Sequence, residues 1–136
     1  NMRDLKEALD SGATFIVTPV FVKDVTAYCA KNKIPVFPGA LTPAEIYQAW
    51  QEGATMVKVF PAKCFGPDYF KEVKGPFQDI ELLAVGGITP ENIREYFNNG
   101  ASAVAFGASV FRKDWLEKQE YPKITSSIKN YLKQLN

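Results

Sequence analysis

A lysine stands inside the run Ala54-Thr55-Met56-Val57-Lys58-Val59-Phe60-Pro61-Ala62, with a valine on each side. Side chains alternate along a strand, so Thr55, Val57 and Val59 share one face and Met56, Lys58 and Phe60 the other. The first set is expected to face covering helices and the second an interior. Burial favours the neutral form of an amine. A neutral amine attacks a ketone to give an iminium, which accepts the electrons of a neighbouring C–C bond as that bond breaks. The same side chain could instead run its apolar stem to the surface and leave its head in water, and spacing alone leaves both readings open. Lys63, Lys71 and Lys74 read as solvated loop or helix residues. The chain has no histidine. His-based triads and the commonest zinc ligand are thereby excluded, and chemistry is left to lysine, carboxylates, hydroxyls and backbone amides.

Two further segments suit an anion. Val85-Gly86-Gly87-Ile88 and Phe106-Gly107-Ala108-Ser109-Val110-Phe111 each run from apolar residues into small ones. Glycine lets backbone N–H groups approach phosphate oxygens closely. Ser109 adds a hydroxyl, and a short helix from Ala108 would aim its N-terminus at the ligand. Each motif alone reads equally as a turn; two of them downstream of an interior lysine are more specific.

The elements that must position these residues alternate along the chain. Apolar, β-branched runs fall at residues 14–18, 34–37, 55–60, 82–85 and 103–106. Amphipathic stretches fall at 3–11, 22–33, 43–52, 68–74 and 90–99, with a last helix at 121–135. Apolar strands separated by helices predict a parallel sheet covered by helices. Gly12-Ala13, Gly53-Ala54 and Gly100-Ala101 each close a helix and open a strand, with glycine as the left-handed residue after the helix end. Thr42-Pro43-Ala44-Glu45 and Thr89-Pro90-Glu91-Asn92 are helix-start sequences, which makes Glu45 a capping residue and not a base. Thr18-Pro19 and Pro35-Val36-Phe37-Pro38-Gly39 read as stiffened strand ends at a pocket rim. Successive strands ending in phosphate-suited residues favour a (β/α)₈ barrel over a dinucleotide-binding sheet, since no Gly-x-Gly-x-x-Gly is present. A barrel needs about 200 residues or more. The 136 residues are therefore expected to form a single partial barrel domain of five β/α units, covering about strands 4–8 and starting in the helix after the third strand.

Composition narrows the class. Sixteen basic and fifteen acidic residues leave a net charge of +1, which gives no electrostatic reason to expect nucleic acid or an anionic membrane. No apolar run reaches the length of a membrane span, and residues 1–7 read as a helix start and not a signal peptide. Cys29 and Cys64, far apart, suggest a reducing cytoplasmic setting.

Taken in order, Phe15-Ile16-Val17-Thr18-Pro19, Pro35-Val36-Phe37-Pro38-Gly39, Val57-Lys58-Val59-Phe60-Pro61-Ala62, Gly86-Gly87-Ile88-Thr89-Pro90-Glu91-Asn92 and Gly107-Ala108-Ser109 resemble the 2-keto-3-deoxy-6-phosphogluconate / 4-hydroxy-2-oxoglutarate aldolases. The match runs from about Asp4 to Phe111, and Lys-x-Phe-Pro-Ala is its most specific part. The resemblance implies a (β/α)₈ barrel, usually trimeric and cytoplasmic, cleaving a 2-keto-3-deoxy phosphosugar acid to pyruvate and an aldehyde, without metal or other cofactor. It implies that Lys58 forms the Schiff base and Phe60 lies beside it. Thr18, Pro19 and Pro38 would line the pocket, and Gly86, Gly87, Gly107, Ala108 and Ser109 would bind phosphate. The family's general base, an arginine and a carboxylate-binding threonine belong to an upstream region with no counterpart here. Val85 replaces a threonine common before the glycine pair, as in relatives acting on the galactonate epimer. An opened barrel would expose two sheet edges, leaving the fragment either unstable or closed by self-association or by the absent segment. Two alternatives remain: another phosphate-binding barrel, such as a thiamine phosphate synthase-like enzyme, and a catalytically inactive barrel fragment.

Overall fold

The computed structural model describes residues 1–135; Asn136, the last residue of the expected domain, lies outside the described residues. In chain order the elements are α1 (Met2–Asp10), β1 (Ile16–Val17), α2 (Lys23–Lys31), β2 (Val36–Phe37), β3 (Gly39–Ala40), α3 (Pro43–Gln51), β4 (Val57–Val59), a 3₁₀ turn (Ala62–Cys64), α4 (Asp68–Lys74), β5 (Leu82–Val85), α5 (Ile93–Asn98), β6 (Ala103–Ala105), α6 (Lys113–Glu117) and α7 (Tyr121–Lys133). Every strand pairing is parallel: β1 with β2, and β3-β4-β5-β6 in sequence order. The fold is α/β with parallel sheets, as the alternating sequence texture predicts.

The strand expected at 34–37 is observed at Val36–Phe37 and resumes at Gly39–Ala40, the two short pieces divided by Pro38. Proline has no N–H to give the ladder. The carbonyls of Val36, Pro38 and Ala40 nevertheless accept from the N–H groups of Thr55, Lys58 and Phe60 at 2.9, 2.9 and 3.1 Å. On the other side Phe37 accepts from Thr18 at 3.3 Å. The segment thus bonds to β1 on one edge and to β4 on the other. Gly39 is needed here for a steric reason: a Cβ on it would lie 2.0 Å from the Pro19 carbonyl oxygen.

One face of the sheet is closed by helices. Val57, Val59, Leu82 and Ala84 pack with Ile46, Ala49, Phe70, Val73, Ile93 and Tyr96 from α3, α4 and α5. A smaller cluster joins Leu5, Val25, Cys29 and Val36 from α1, α2 and β2. Thr55 does not join the core; it is exposed, and its hydroxyl accepts from the Val36 N–H at 2.9 Å.

Helix ends follow local chemistry. Thr42 and Glu45 form a reciprocal capping box at the start of α3, which satisfies backbone donors the helix leaves open. Gly12, Gly53 and Gly100 follow their helices with φ near +90° (91°, 90° and 98°). Helix α5 starts at Ile93, later than the position 90 expected from Thr89-Pro90. The Asn92 side chain explains the delay: its oxygen accepts from the Thr89 N–H (2.8 Å) and its amide donates to the Gly87 carbonyl (3.0 Å). Helix α6 was not expected from the sequence. No helix starts at Ala108; the N–H groups of Val110 and Phe111 close one turn on the Gly107 carbonyl, and α6 begins at Lys113. Among the described residues no helix is long and apolar enough to cross a membrane.

Candidate active site

The face of the sheet opposite the helices holds a row in register: Gly39 beside Lys58, Lys58 beside Leu83, Leu83 beside Ala103. Glycine on one flank leaves room for the lysine stem. Lys58 is 9% exposed, and burial pushes its amine below the usual lysine value. Among the described residues no hydrogen bond or ion pair reaches this amine, and no carboxylate contributes to the shift. Its neighbour is the Phe60 ring, whose centroid lies 5.3 Å from Nζ. Phe60 itself is 46% exposed, so the face expected to be interior opens to solvent at its rim.

Phe60 also forms one wall of a pocket of about 680 Å³. Gly86, Gly87, Gly107, Ala108 and Ser109 line the same pocket, with Val85 and Ala105 at its floor. Gly86 and Gly87 have φ of 91° and 85°, a region that favours glycine. A Cβ at Gly86 would lie 3.1 Å from the Phe60 ring, and one at Gly87 would lie 2.4 Å from the Lys63 Cβ. The turn is pinned by the Lys63 N–H, which donates to the Gly86 carbonyl at 3.0 Å, and by Asn92. Gly107 differs: a Cβ there would meet nothing within 4 Å. Among the described residues no backbone or side-chain acceptor meets the N–H groups of Gly87, Ala108 or Ser109. Three N–H groups of these two turns therefore have no partner among the described residues.

The structure thus brings six of the expected site residues together around one pocket and places Lys58 behind Phe60 at its edge. The others sit apart. Thr18 and Pro19 line a separate pocket of about 370 Å³ beside α1, and the Thr18 hydroxyl donates to the Val20 carbonyl at 2.8 Å. Pro38 is fully buried, and its carbonyl holds the Lys58 N–H.

Sequence reading missed Tyr131. This α7 residue is 2% exposed and stacks on Phe106, ring centroids 4.0 Å apart and 12° from parallel. Its hydroxyl lies 2.8 Å from both the Ile88 carbonyl and the Ser109 Oγ, so it joins the two turns. Its only sequence signal is a place on the apolar stripe Ile124, Ile128, Tyr131, which reads as core packing. Among the described residues no group of three or more potential ligands gathers to hold a metal.

The chain as a whole resembles several known proteins. The 2-dehydro-3-deoxy-6-phosphogalactonate aldolase of Escherichia coli (strain K12) is 31% identical over 121 residues, 88% of this chain and 59% of that protein. A 2-dehydro-3-deoxy-phosphogluconate aldolase of Pseudomonas aeruginosa is 33% identical over 122 residues, 85% of this chain and 56% of that one. A solved structure described as native KDPGal superposes with a TM-score of 0.86 at 28% identity, over 99% of this chain and 66% of that one. The chain spans less than two thirds of each of these relatives. The family model "Aldolase: KDPG and KHG aldolase" matches residues 1–127, and the chain belongs to that family of lyases.

Proposed function

We propose that this chain is the imine-forming and phosphate-binding part of a class I aldolase acting on a 2-keto-3-deoxy-6-phospho sugar acid. In this reading its strands are about strands 4–8 of a (β/α)₈ barrel and its residues a single partial barrel domain. The observation that supports it best is the buried, unpaired Lys58 amine behind the ring of Phe60, which is itself one wall of a pocket lined by Gly86, Gly87, Gly107, Ala108 and Ser109.

The neutral Lys58 amine attacks the C2 ketone, and loss of water from the carbinolamine gives an iminium. A base takes the proton of the C4 hydroxyl, the C3–C4 bond breaks, and its electron pair moves through C3 and C2 to nitrogen. This releases glyceraldehyde 3-phosphate and leaves an enamine. Protonation at C3 and hydrolysis then release pyruvate and restore the amine. The phosphate end of the substrate lies between the two turns, where free N–H donors hold it by the same chemistry that suits backbone nests to anions. No metal or other cofactor takes part in this scheme. Pro38 fixes the Lys58 backbone, and Thr18 and Pro19 shape the rim of β1.

In this reading the base, as in the family, is a glutamate of an early strand that has no counterpart in these residues. These 136 residues alone are therefore expected to form the imine and turn over slowly. Val85 precedes the glycine pair as in relatives acting on the galactonate epimer, so the reading takes in the gluconate and the galactonate epimers alike. A homo-oligomer, a trimer by family habit, and a cytoplasmic setting complete the reading. The test is borohydride reduction with pyruvate: one pyruvyl adduct on Lys58, absent in Lys58→Met, supports it. An unlabelled Lys58 with phosphate still bound would favour a phosphate-binding barrel of another class.

A further inference from the structure

We propose that Asn92 is a positioning residue of the phosphate turn, one that locks the Gly87–Ile88 peptide with its N–H presented to an anion and its carbonyl turned away. The inference deepens the reading of the pocket as an anion site and rests on it.

A trans peptide unit is planar, and its C=O and N–H point in opposite directions. Holding the oxygen therefore fixes the hydrogen. Two successive peptides of this turn are held by their oxygens. The Lys63 N–H donates to the Gly86 carbonyl at 3.0 Å, and the Asn92 amide donates to the Gly87 carbonyl at 3.0 Å. Gly86, Gly87 and Ile88 line the pocket, whereas Lys63 and Asn92 do not. Both carbonyls are thus drawn toward residues outside the pocket, which leaves the N–H groups of Gly87 and Ile88 on the opposite side. Neither N–H meets an acceptor among the described residues. Ile88 is 2% exposed, and buried N–H groups are nearly always paired. Successive N–H groups in a turn make a concave nest for an anion.

The direction of the Asn92 bonds is set by their backbone partners. The Gly87 carbonyl can only accept and the Thr89 N–H can only donate. The amide nitrogen therefore faces Gly87, and the amide oxygen faces Thr89 at 2.8 Å. The lock matters because the peptide it holds follows two glycines. Gly86 and Gly87 have φ of 91° and 85°, and glycine moves to other conformations at little steric cost. A rotated Gly87–Ile88 peptide would turn a carbonyl oxygen toward the anion in place of an N–H. Lys63 acts here through its backbone, so the Asn92 half of the clamp is the one a substitution can remove.

The experiment titrates inorganic phosphate into the isotope-labelled chain at neutral pH and follows amide proton shifts and affinity by NMR. Wild type, Asn92→Ala and Asn92→Asp are compared. Asn92→Asp keeps an acceptor for the Thr89 N–H and loses only the donor to Gly87, so it carries the test should Asn92→Ala not fold. In the wild type the amide protons of Gly87, Ile88, Ala108 and Ser109 should all move downfield at saturation. In both variants the Ile88 shift should be lost, while Gly87, still held through Lys63, keeps its own. Affinity should fall about five- to tenfold in Asn92→Ala, the size of one net hydrogen bond. The added charge of Asn92→Asp weakens binding by itself, so that variant is judged on the shift pattern at saturation. An Ile88 shift that survives in either variant, or unchanged affinity in Asn92→Ala, overturns the proposal. Equal loss across all four amides overturns it too, since it marks a loosened turn and not one released peptide. A wild-type chain that binds phosphate with Ile88 unmoved defeats this inference alone. A wild-type chain that binds no phosphate defeats the anion-site reading and this inference with it.

Discussion

The Lys58 amine and the Phe60 ring occupy the same face of the chain two residues apart, 5.3 Å from nitrogen to ring centroid. One aromatic side chain thereby serves two places. It covers the amine on one side and borders the Gly86 turn on the other, where a Cβ would lie 3.1 Å from its edge.

Imine formation should follow the Lys58 titration. Burial lowers the folded pKa from about 10.5, so the neutral amine is present at lower pH than in a free lysine. Pyruvate trapping should rise with pH through the lowered value and level off before the free-lysine range. A profile centred on the ordinary lysine value sinks this prediction. Stability has a matching sign. Between the folded and unfolded pKa values the unfolded chain binds the extra proton, so stability falls as pH drops through that window. Lys58→Met should therefore gain stability over the wild type at neutral pH, and the gain should shrink toward pH 10.5 in chemical denaturation.

Gly107→Ala separates fold from site. The new methyl group meets no atom within 4 Å, so unfolding free energy should stay within about 0.5 kcal/mol of wild type. The same methyl projects from a residue that lines the pocket. Phosphate binding should weaken severalfold, and unchanged affinity in a calorimetric titration would remove Gly107 from the site.

Gly39→Ala should do the reverse. Its Cβ would sit 2.0 Å from the Pro19 carbonyl oxygen, a backbone atom that cannot swing away. The expected cost is about 3 kcal/mol, the upper range for overpacking, or roughly 3–5 °C of melting temperature per kcal/mol for a chain of this size. A melting curve that matches wild type would show that the strand pair gives way freely.

The capping box at α3 predicts a surface effect with its own pH signature. Thr42→Ala should cost about 0.5–2 kcal/mol. Hydrogen bonds from the Thr42 and Leu41 N–H groups and the Thr42 hydroxyl hold the Glu45 carboxyl below its usual value of 4.5. A lowered carboxyl pKa stabilises above the unfolded value and loses that contribution as pH falls through the folded one. Glu45→Gln should be less stable than wild type at neutral pH, and the two unfolding curves should converge in acid.

Much of this architecture is legible residue by residue. β5 and α4 occupy the expected ranges because apolar alternation and helical spacing are local signals. The glycines after α1, α3 and α5 are legible because only a left-handed residue fits there. Pro38 divides the strand at 36–40, since its missing N–H falls where β4 would use it, a break that the apolar run alone does not signal. The turn at Ala108 was read as a helix because small residues are permissive and carry no length signal. Asn92 delays α5 through bonds to Gly87 and Thr89, a contest between side chain and backbone that spacing does not rank. Tyr131 was illegible for a different reason: its hydroxyl partners are fixed only by tertiary packing.

Those partners lie 43 and 22 residues earlier in the chain. A ribosome releases the N-terminal end first, so both glycine turns emerge before α7 exists. Until that helix docks, Phe106 lacks the Tyr131 ring stacked on it, and the Ile88 carbonyl and Ser109 hydroxyl lack their Tyr131 partner. The strand bearing the lysine can pair early with its neighbours, whereas the two glycine turns gain their shared partner only once α7 has been made.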